Sequence, residues 1–73
     1  MKDELPDLIA YLQHRFNTPK LTARMHPKKQ DMAEIYIGEE FVAPIYREEE
    51  DGEVSYQLQM AILDFDLEEF KAQ

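Results

Sequence analysis

The sequence predicts a two-layer α+β domain in the order α-β-β-β-β-α, with an N-terminal helix packed on a three- to four-stranded antiparallel sheet and a short C-terminal helix. Three observations carry this. Apolar residues recur at helical spacing up to Phe16, the period changes to two from Lys20, and two turn signals, Gly38-Glu39-Glu40 and Asp51-Gly52, are flanked by apolar positions that fall opposite one another.

Residues 3 to 16 place Leu5, Leu8, Ile9, Leu12 and Phe16 on one stripe, with Asp3, Glu4 and Asp7 at the N-terminal end, where negative charge favours the helix dipole. Pro6 suits a first turn, which has no use for its missing N–H. Asn17 tolerates the left-handed conformation beyond a helix end, and Pro19 biases Thr18 away from the helical region, so the helix ends near residue 16.

From Lys20, the residues Leu21, Ala23 and Met25 alternate with Lys20, Thr22 and Arg24 as a half-buried strand does. Pro27-Lys28-Lys29-Gln30-Asp31 reads as a loop, and Ala33, Ile35 and Ile37 then mark the next strand. A three-residue turn at Gly38-Glu39-Glu40 sets Ile37 opposite Phe41, Ile35 opposite Ala43 and Ala33 opposite Ile45. Asp51-Gly52 matches a type I′ hairpin turn, and centring it there pairs Ile45 with Leu58, Ala43 with Met60 and Phe41 with Ile62. Strand four therefore runs over about 53 to 62. Pro44 has no N–H to give to a ladder, so this register requires it at a bulge or where no acceptor waits. The last helix begins around Asp64, with Asp66 and Glu69 at capping-box spacing and Phe65, Leu67 and Phe70 tucked inward.

On this pattern Leu21, Met25, Ile35, Ile37, Phe41, Ile45, Val54, Leu58, Met60 and Ile62 face the helix. The other sheet face carries Thr22, Arg24, Glu34, Tyr36, Val42, Tyr46, Ser55, Gln57 and Gln59.

The chain has 73 residues, enough for a single domain over 1–73 but not for a large enclosed cavity. It holds no cysteine, which excludes disulfides, thiolate metal sites and cysteine nucleophiles and suits a reducing cytoplasm. No apolar run approaches the roughly 20 residues of a membrane span, and the start, Met-Lys-Asp-Glu-Leu-Pro, is not that of a signal peptide. These features read as a soluble cytoplasmic protein.

The stock for nucleophilic catalysis is one serine (Ser55), two threonines (Thr18, Thr22) and two histidines, His14 and His26, which read as surface residues. The carboxylates lie in solvated clusters rather than in the desolvated setting that raises a pKa for general acid work. Arg47 to Leu58 lacks the first and last ligands of an EF-hand loop, and Asp64, Asp66, Glu68 and Glu69 read as helix-capping and dipole-complementing residues. The expectation is therefore no enzyme, no cofactor and no metal.

Charge is distributed unevenly. Up to Tyr36 six Lys and Arg face five acids, and beyond it two face eleven, so +1 and −9 make up the net −8. Residues 14–29 hold Arg15, Lys20, Arg24, Lys28 and Lys29 with no acid, a segment suited to phosphate. However, the acids at the start of the last helix stand where double-stranded-RNA-binding domains place lysines, and the net charge repels polyanions. The acidic half, with five acids in 48–53, suits a basic protein partner or a device against sheet-edge pairing. Tyrosine combines large contact area with a hydrogen-bonding tip, so Tyr36 and Tyr46 near Gln57 and Gln59 make a docking surface, flanked by Glu48 and Glu50. The leading reading is a small non-enzymatic protein-interaction module using that face and the acidic hairpin, its partner an unidentified protein or a second copy of the chain. The alternative is a weak nucleic-acid-binding protein using Arg15, Lys20, Arg24, Lys28 and Lys29.

Ala33-Glu34-Ile35-Tyr36-Ile37-Gly38-Glu39-Glu40-Phe41, Arg47 through Tyr56 and Gln59 through Leu67, together with Tyr11-Leu12-Gln13-His14-Arg15-Phe16, carry a further signal. In these stretches the chain resembles, nearly end to end, a small family of alphaproteobacterial proteins catalogued as a domain of unknown function. The resemblance implies a bacterial cytoplasmic source and transfers no activity, substrate, cofactor or site residue.

Overall fold

The structure is a computed structural model describing Met1–Gln73. A 3-10 turn, Lys2–Glu4, leads into α1 (Leu5–Arg15), followed by β1 (Leu21–Met25), β2 (Met32–Ile37), β3 (Glu40–Glu50), β4 (Glu53–Leu58) and α2 (Asp64–Lys71). The strands form one antiparallel sheet in the order β1-β2-β3-β4. This is the predicted α+β arrangement.

Local chemistry explains each boundary. Pro6 lies in the first turn of α1, and Asn17, at φ 52°, adopts the left-handed conformation that ends it. The amide side chain of Gln13 donates to the Leu21 carbonyl at 2.9 Å, tying the end of α1 to the start of β1. Asp51 and Gly52 take φ 52° and 81°, the two positive values a type I′ turn demands, and Glu50 stands opposite Glu53 as the register requires. The capping of α2 falls one turn earlier than the Asp66/Glu69 spacing predicts. Leu63 is the N-cap, and its N–H donates to the Asp66 carboxylate at 2.9 Å. Asp66 thus takes the third helical position.

The β2–β3 hairpin departs from the predicted pairing. Ala33↔Ile45 and Ile35↔Ala43 hold, but Tyr36 pairs with Phe41 and Ile37 with Glu40, because the turn has two residues, Gly38 and Glu39, and a bulge follows Ile35. Gly38, at φ 63°, alone has positive φ in this turn, which fits glycine at the first central position of a two-residue loop. Val42 is the extra residue and packs against the core, while Phe41 crosses to the other face and is half exposed.

Strand four ends at Leu58, not at 62. Gln59 N–H donates to the Pro44 carbonyl at 3.2 Å, and the reciprocal bond has no donor because residue 44 is proline. The ladder stops at that rung.

The core lies between α1 and the sheet: Leu5, Leu12, Leu21, Ala33, Ile35, Ala43 and Ile45 are buried, with Leu8, Ile9, Ala23, Met25, Val42 and Tyr56 partly so. Several positions expected to face inward lie in the open instead. Phe16, Ile37, Phe41, Val54, Leu58, Met60 and Ile62 are exposed, and so are Phe65, Leu67 and Phe70 of α2. The physical reason is coverage: α1 packs on β1, and α2, whose Phe65, Leu67 and Phe70 were expected to tuck inward, meets the sheet across an open groove beside Glu40, Phe41 and Val42. The molecule measures 46 × 24 × 23 Å, an elongated outline.

Candidate interaction surface

The sheet face turned away from α1 is built by cross-strand alternation. Thr22 pairs with Tyr36, Arg24 with Glu34, Met32 with Tyr46, Tyr46 with Gln57 and Glu48 with Ser55, so these side chains share that face. The bulge adds Phe41, which the sequence reading assigned to the core, and moves Val42 the other way. The glycine at the start of a two-residue loop was the available signal for this exchange.

At one end of the face the Arg24 guanidinium carbon stands 4.1 Å above the Tyr36 ring, and Phe41 meets the same ring edge-on, with centroids 5.7 Å apart at 75°. The three residues form a cation-aromatic cluster held by three different strands. Beyond the Glu34/Pro44 rung, Tyr46, Glu48, Gln57 and Gln59 line an open depression of about 460 Å³. Gln57 Nε2 donates to the Ser55 hydroxyl at 3.2 Å, so its amide is already oriented along the strand. Four of the six predicted protein-docking residues thus come together, and Tyr36 lies at the other end of the same face. Glu50 stands apart, in the hairpin tip beside Asp51, Glu53, Val54 and Ser55.

On the helix side of the sheet, Glu4, Arg47, Glu49 and Tyr56 form a polar network where the N-terminal end of α1 meets β3 and β4. The Tyr56 hydroxyl donates to Glu4 Oε1 at 3.3 Å, Arg47 Nε lies 3.4 Å from the same oxygen, and Arg47 Nη2 donates to Glu49 at 3.0 Å. Glu4 also meets the terminal ammonium of Met1 at 3.5 Å. Its carboxyl is held below the usual range, chiefly by a hydrogen bond from its own backbone N–H and, more weakly, by that ammonium and Tyr56, against some desolvation. The hydrogen bond to Glu49 is the main cause of the raised Arg47 pKa. The network joins helix to sheet.

The five predicted phosphate contacts divide between separate places. Arg15 ends α1 and Lys20 precedes β1, whereas Lys28 and Lys29 lie beyond the opposite end of that strand. There they line, with Met1, Lys2, Met25, His26, Pro27 and Gln30, an open depression of about 400 Å³. Arg24 is engaged on Tyr36. His26 Nδ1 accepts the Lys28 backbone N–H at 3.0 Å, so that ring nitrogen serves the loop, and His14 is exposed on α1.

No helix is long and apolar enough to cross a membrane. No curated protein and no solved structure matches the chain. A family model does: it matches residues 4–66, spanning both hairpins and the start of α2, and the chain belongs to the family described as Protein of unknown function (DUF3126).

Proposed function

We propose that this protein is a small non-enzymatic interaction module that docks another protein on the open face of its sheet, with Tyr36, Phe41, Tyr46, Gln57 and Gln59 as contacts and Glu48 and Glu50 of the acidic hairpin at the margin. The observation that carries the reading is that Tyr46, Glu48, Gln57 and Gln59 share one depression on a face that α1 does not cover. Aromatic side chains with polar tips, beside amides with free hydrogen-bonding capacity, are the composition of a protein-docking patch. The acids beside it favour a partner with a basic surface and make association sensitive to salt.

The nucleic-acid reading draws less support. Arg15, Lys20, Arg24, Lys28 and Lys29 fall at both ends of β1 and on the sheet face rather than along one track for a phosphate backbone.

The test is an affinity capture at low salt, with and without nuclease, comparing wild type with a folded Tyr36→Ala/Tyr46→Ala variant, after which each captured protein is purified and titrated against both. A purified partner whose affinity falls at least about tenfold in the variant supports docking through this face. Nuclease-sensitive recovery of RNA or DNA, lost on reversing Lys28 and Lys29 to glutamate, sinks it.

A further inference from the structure

β3 outruns the strand beside it. It starts at Glu40, but β4 ends at Leu58 opposite Ile45, and the last backbone bond between the two runs from Gln59 N–H to the Pro44 carbonyl. No backbone bond joins residues 40–43 to residues 60–63, so this stretch of β3 pairs with β2 on one side and is a free strand edge on the other. A free edge presents backbone donors and acceptors in a row and is a template for a further strand.

The same stretch borders the open groove under α2. Phe41 and Val42 of β3, Met60 and Ile62 of the connection, and Leu67 and Phe70 of α2 line about 480 Å³. The groove is unfilled: Met60, Ile62 and Phe70 are 61, 63 and 72% exposed. A second depression shares Phe41, Val42, Met60 and Ala61 and continues to Pro44 and Leu58, so the groove follows the whole unpaired stretch of β3. Because of the bulge, Phe41 and Val42 lie on opposite faces of the sheet, and a strand laid on this edge meets apolar side chains on both of its sides. The rim is acidic: Glu40, Asp66 and Glu69 line the groove, and no Lys, Arg or His lines either depression.

These features select the occupant. The free edge calls for an extended chain, since a helix satisfies its own backbone groups and leaves the edge unpaired. The acids call for bases. A second copy is opposed by the net charge of −8, and the chain's one basic segment, 14–29, has no two consecutive apolar residues. Residues 60–62 form the facing wall of the groove, and Pro44 lacks the N–H that would complete the rung from which they would pair. We propose that residues 40–43 of β3 accept an added strand from another protein, an extended segment of about four successive apolar residues flanked by Lys or Arg, with its backbone paired to β3 and its basic flanks against Glu40, Asp66 and Glu69. This site stands apart from the Tyr46/Gln57 depression and does not depend on it.

The experiment is an NMR titration of the full chain with three end-capped peptides: Lys-Lys-Val-Ile-Val-Leu-Lys-Lys, the same peptide with glutamate for every lysine, and the basic peptide methylated on its central backbone nitrogens. The basic peptide is expected to shift the amides of residues 40–43 and of α2, to bind at least about tenfold tighter than the acidic one, and to weaken with added salt. Methylation removes the donors needed for strand pairing and is expected to weaken binding by about tenfold or more. Leu67→Asp/Phe70→Asp should do the same, and Glu40→Lys/Glu69→Lys should reverse the preference between the basic and acidic peptides; all four positions are exposed, so the strand circular dichroism is retained in both variants. No shift at about 1 mM basic peptide overturns the proposal. So does equal affinity for the methylated peptide, which means apolar contact without an added strand, and so does binding that Tyr46→Ala abolishes, which means the other depression. Amides at 60–62 protected from hydrogen exchange in the free chain mean that the chain fills its own edge, and a dimer in sedimentation that Leu67→Asp/Phe70→Asp breaks means that a second copy does; either result overturns the proposal.

Discussion

Glu4 and Tyr56, 52 residues apart in the chain, meet at 3.3 Å where the first turn of the molecule crosses its last strand. This contact and the Arg47 guanidinium beside it hold the N-terminal end of α1 over β3 and β4, next to Leu5, which joins Ile35 in the core. Replacing Tyr56 by Phe removes the hydroxyl and keeps the ring. The expected result is a lower urea midpoint with an unchanged slope, because the compactness of neither state changes.

Acid should loosen the same corner. The folded-state pKa of Glu4 lies below its ordinary 4.5, so its contribution to stability is complete above that value and is lost as the pH falls through the lower one. Thermal unfolding followed between pH 6 and 2.5 (about that span) should therefore fall less steeply in Glu4→Gln than in wild type. Equal slopes would mean that the carboxylate adds nothing.

Ile35 is 2% exposed at the centre of the sheet, and only six other residues are buried with it. So thin a core has little slack. Ile35→Ala should cost about 2–5 kcal/mol of unfolding free energy by denaturant titration, much of the roughly 5 kcal/mol or so available to a domain of this size. Tyr11→Ala, at an exposed position, should cost far less.

Gly52 sits at φ 81° with open space where a Cβ would go, so only backbone conformation opposes a side chain there. Gly52→Ala should destabilise by about 1–2 kcal/mol without changing the register of the acidic hairpin, as cross-strand amide contacts in NMR spectra would report.

Pro44 offers an opposite kind of change. Pro44→Val supplies the missing N–H toward residue 59, and the prediction is a new amide at 44 protected from hydrogen exchange, with pairing of β4 extended past Leu58. An unprotected amide at that position would show that something other than proline ends the strand.

Sequence patterning made particular elements legible. Asn17 and Pro19 marked the end of α1, and Asp51-Gly52 fixed every rung from Ile45↔Leu58 to Glu50↔Glu53, because positive φ is a local demand that few residues meet. Four members of the docking surface, Tyr46, Glu48, Gln57 and Gln59, followed from that register. What failed was coverage. Alternation shows that Val54, Leu58, Met60 and Ile62 are apolar, but whether another element lies over them depends on where α2 goes, and no local pattern encodes that. The exchange of Phe41 for Val42 was hidden for another reason: a turn one residue shorter and a bulge compensate each other, so the pairs around Ile35 look the same either way.

That compensation gives β3 two reading frames. From Ala43 onward the odd-numbered side chains point to the helix, but on the far side of Val42 the parity is reversed, and odd-numbered Phe41 joins even-numbered Tyr36 and Arg24. The cation-aromatic cluster therefore owes its existence to the short turn and to the bulge that takes up Val42, and not to any change in the amino acids that compose it. The same residues joined by a three-residue turn with no bulge would keep every one of those side chains and put Phe41 on the opposite face of the sheet from Tyr36 and Arg24.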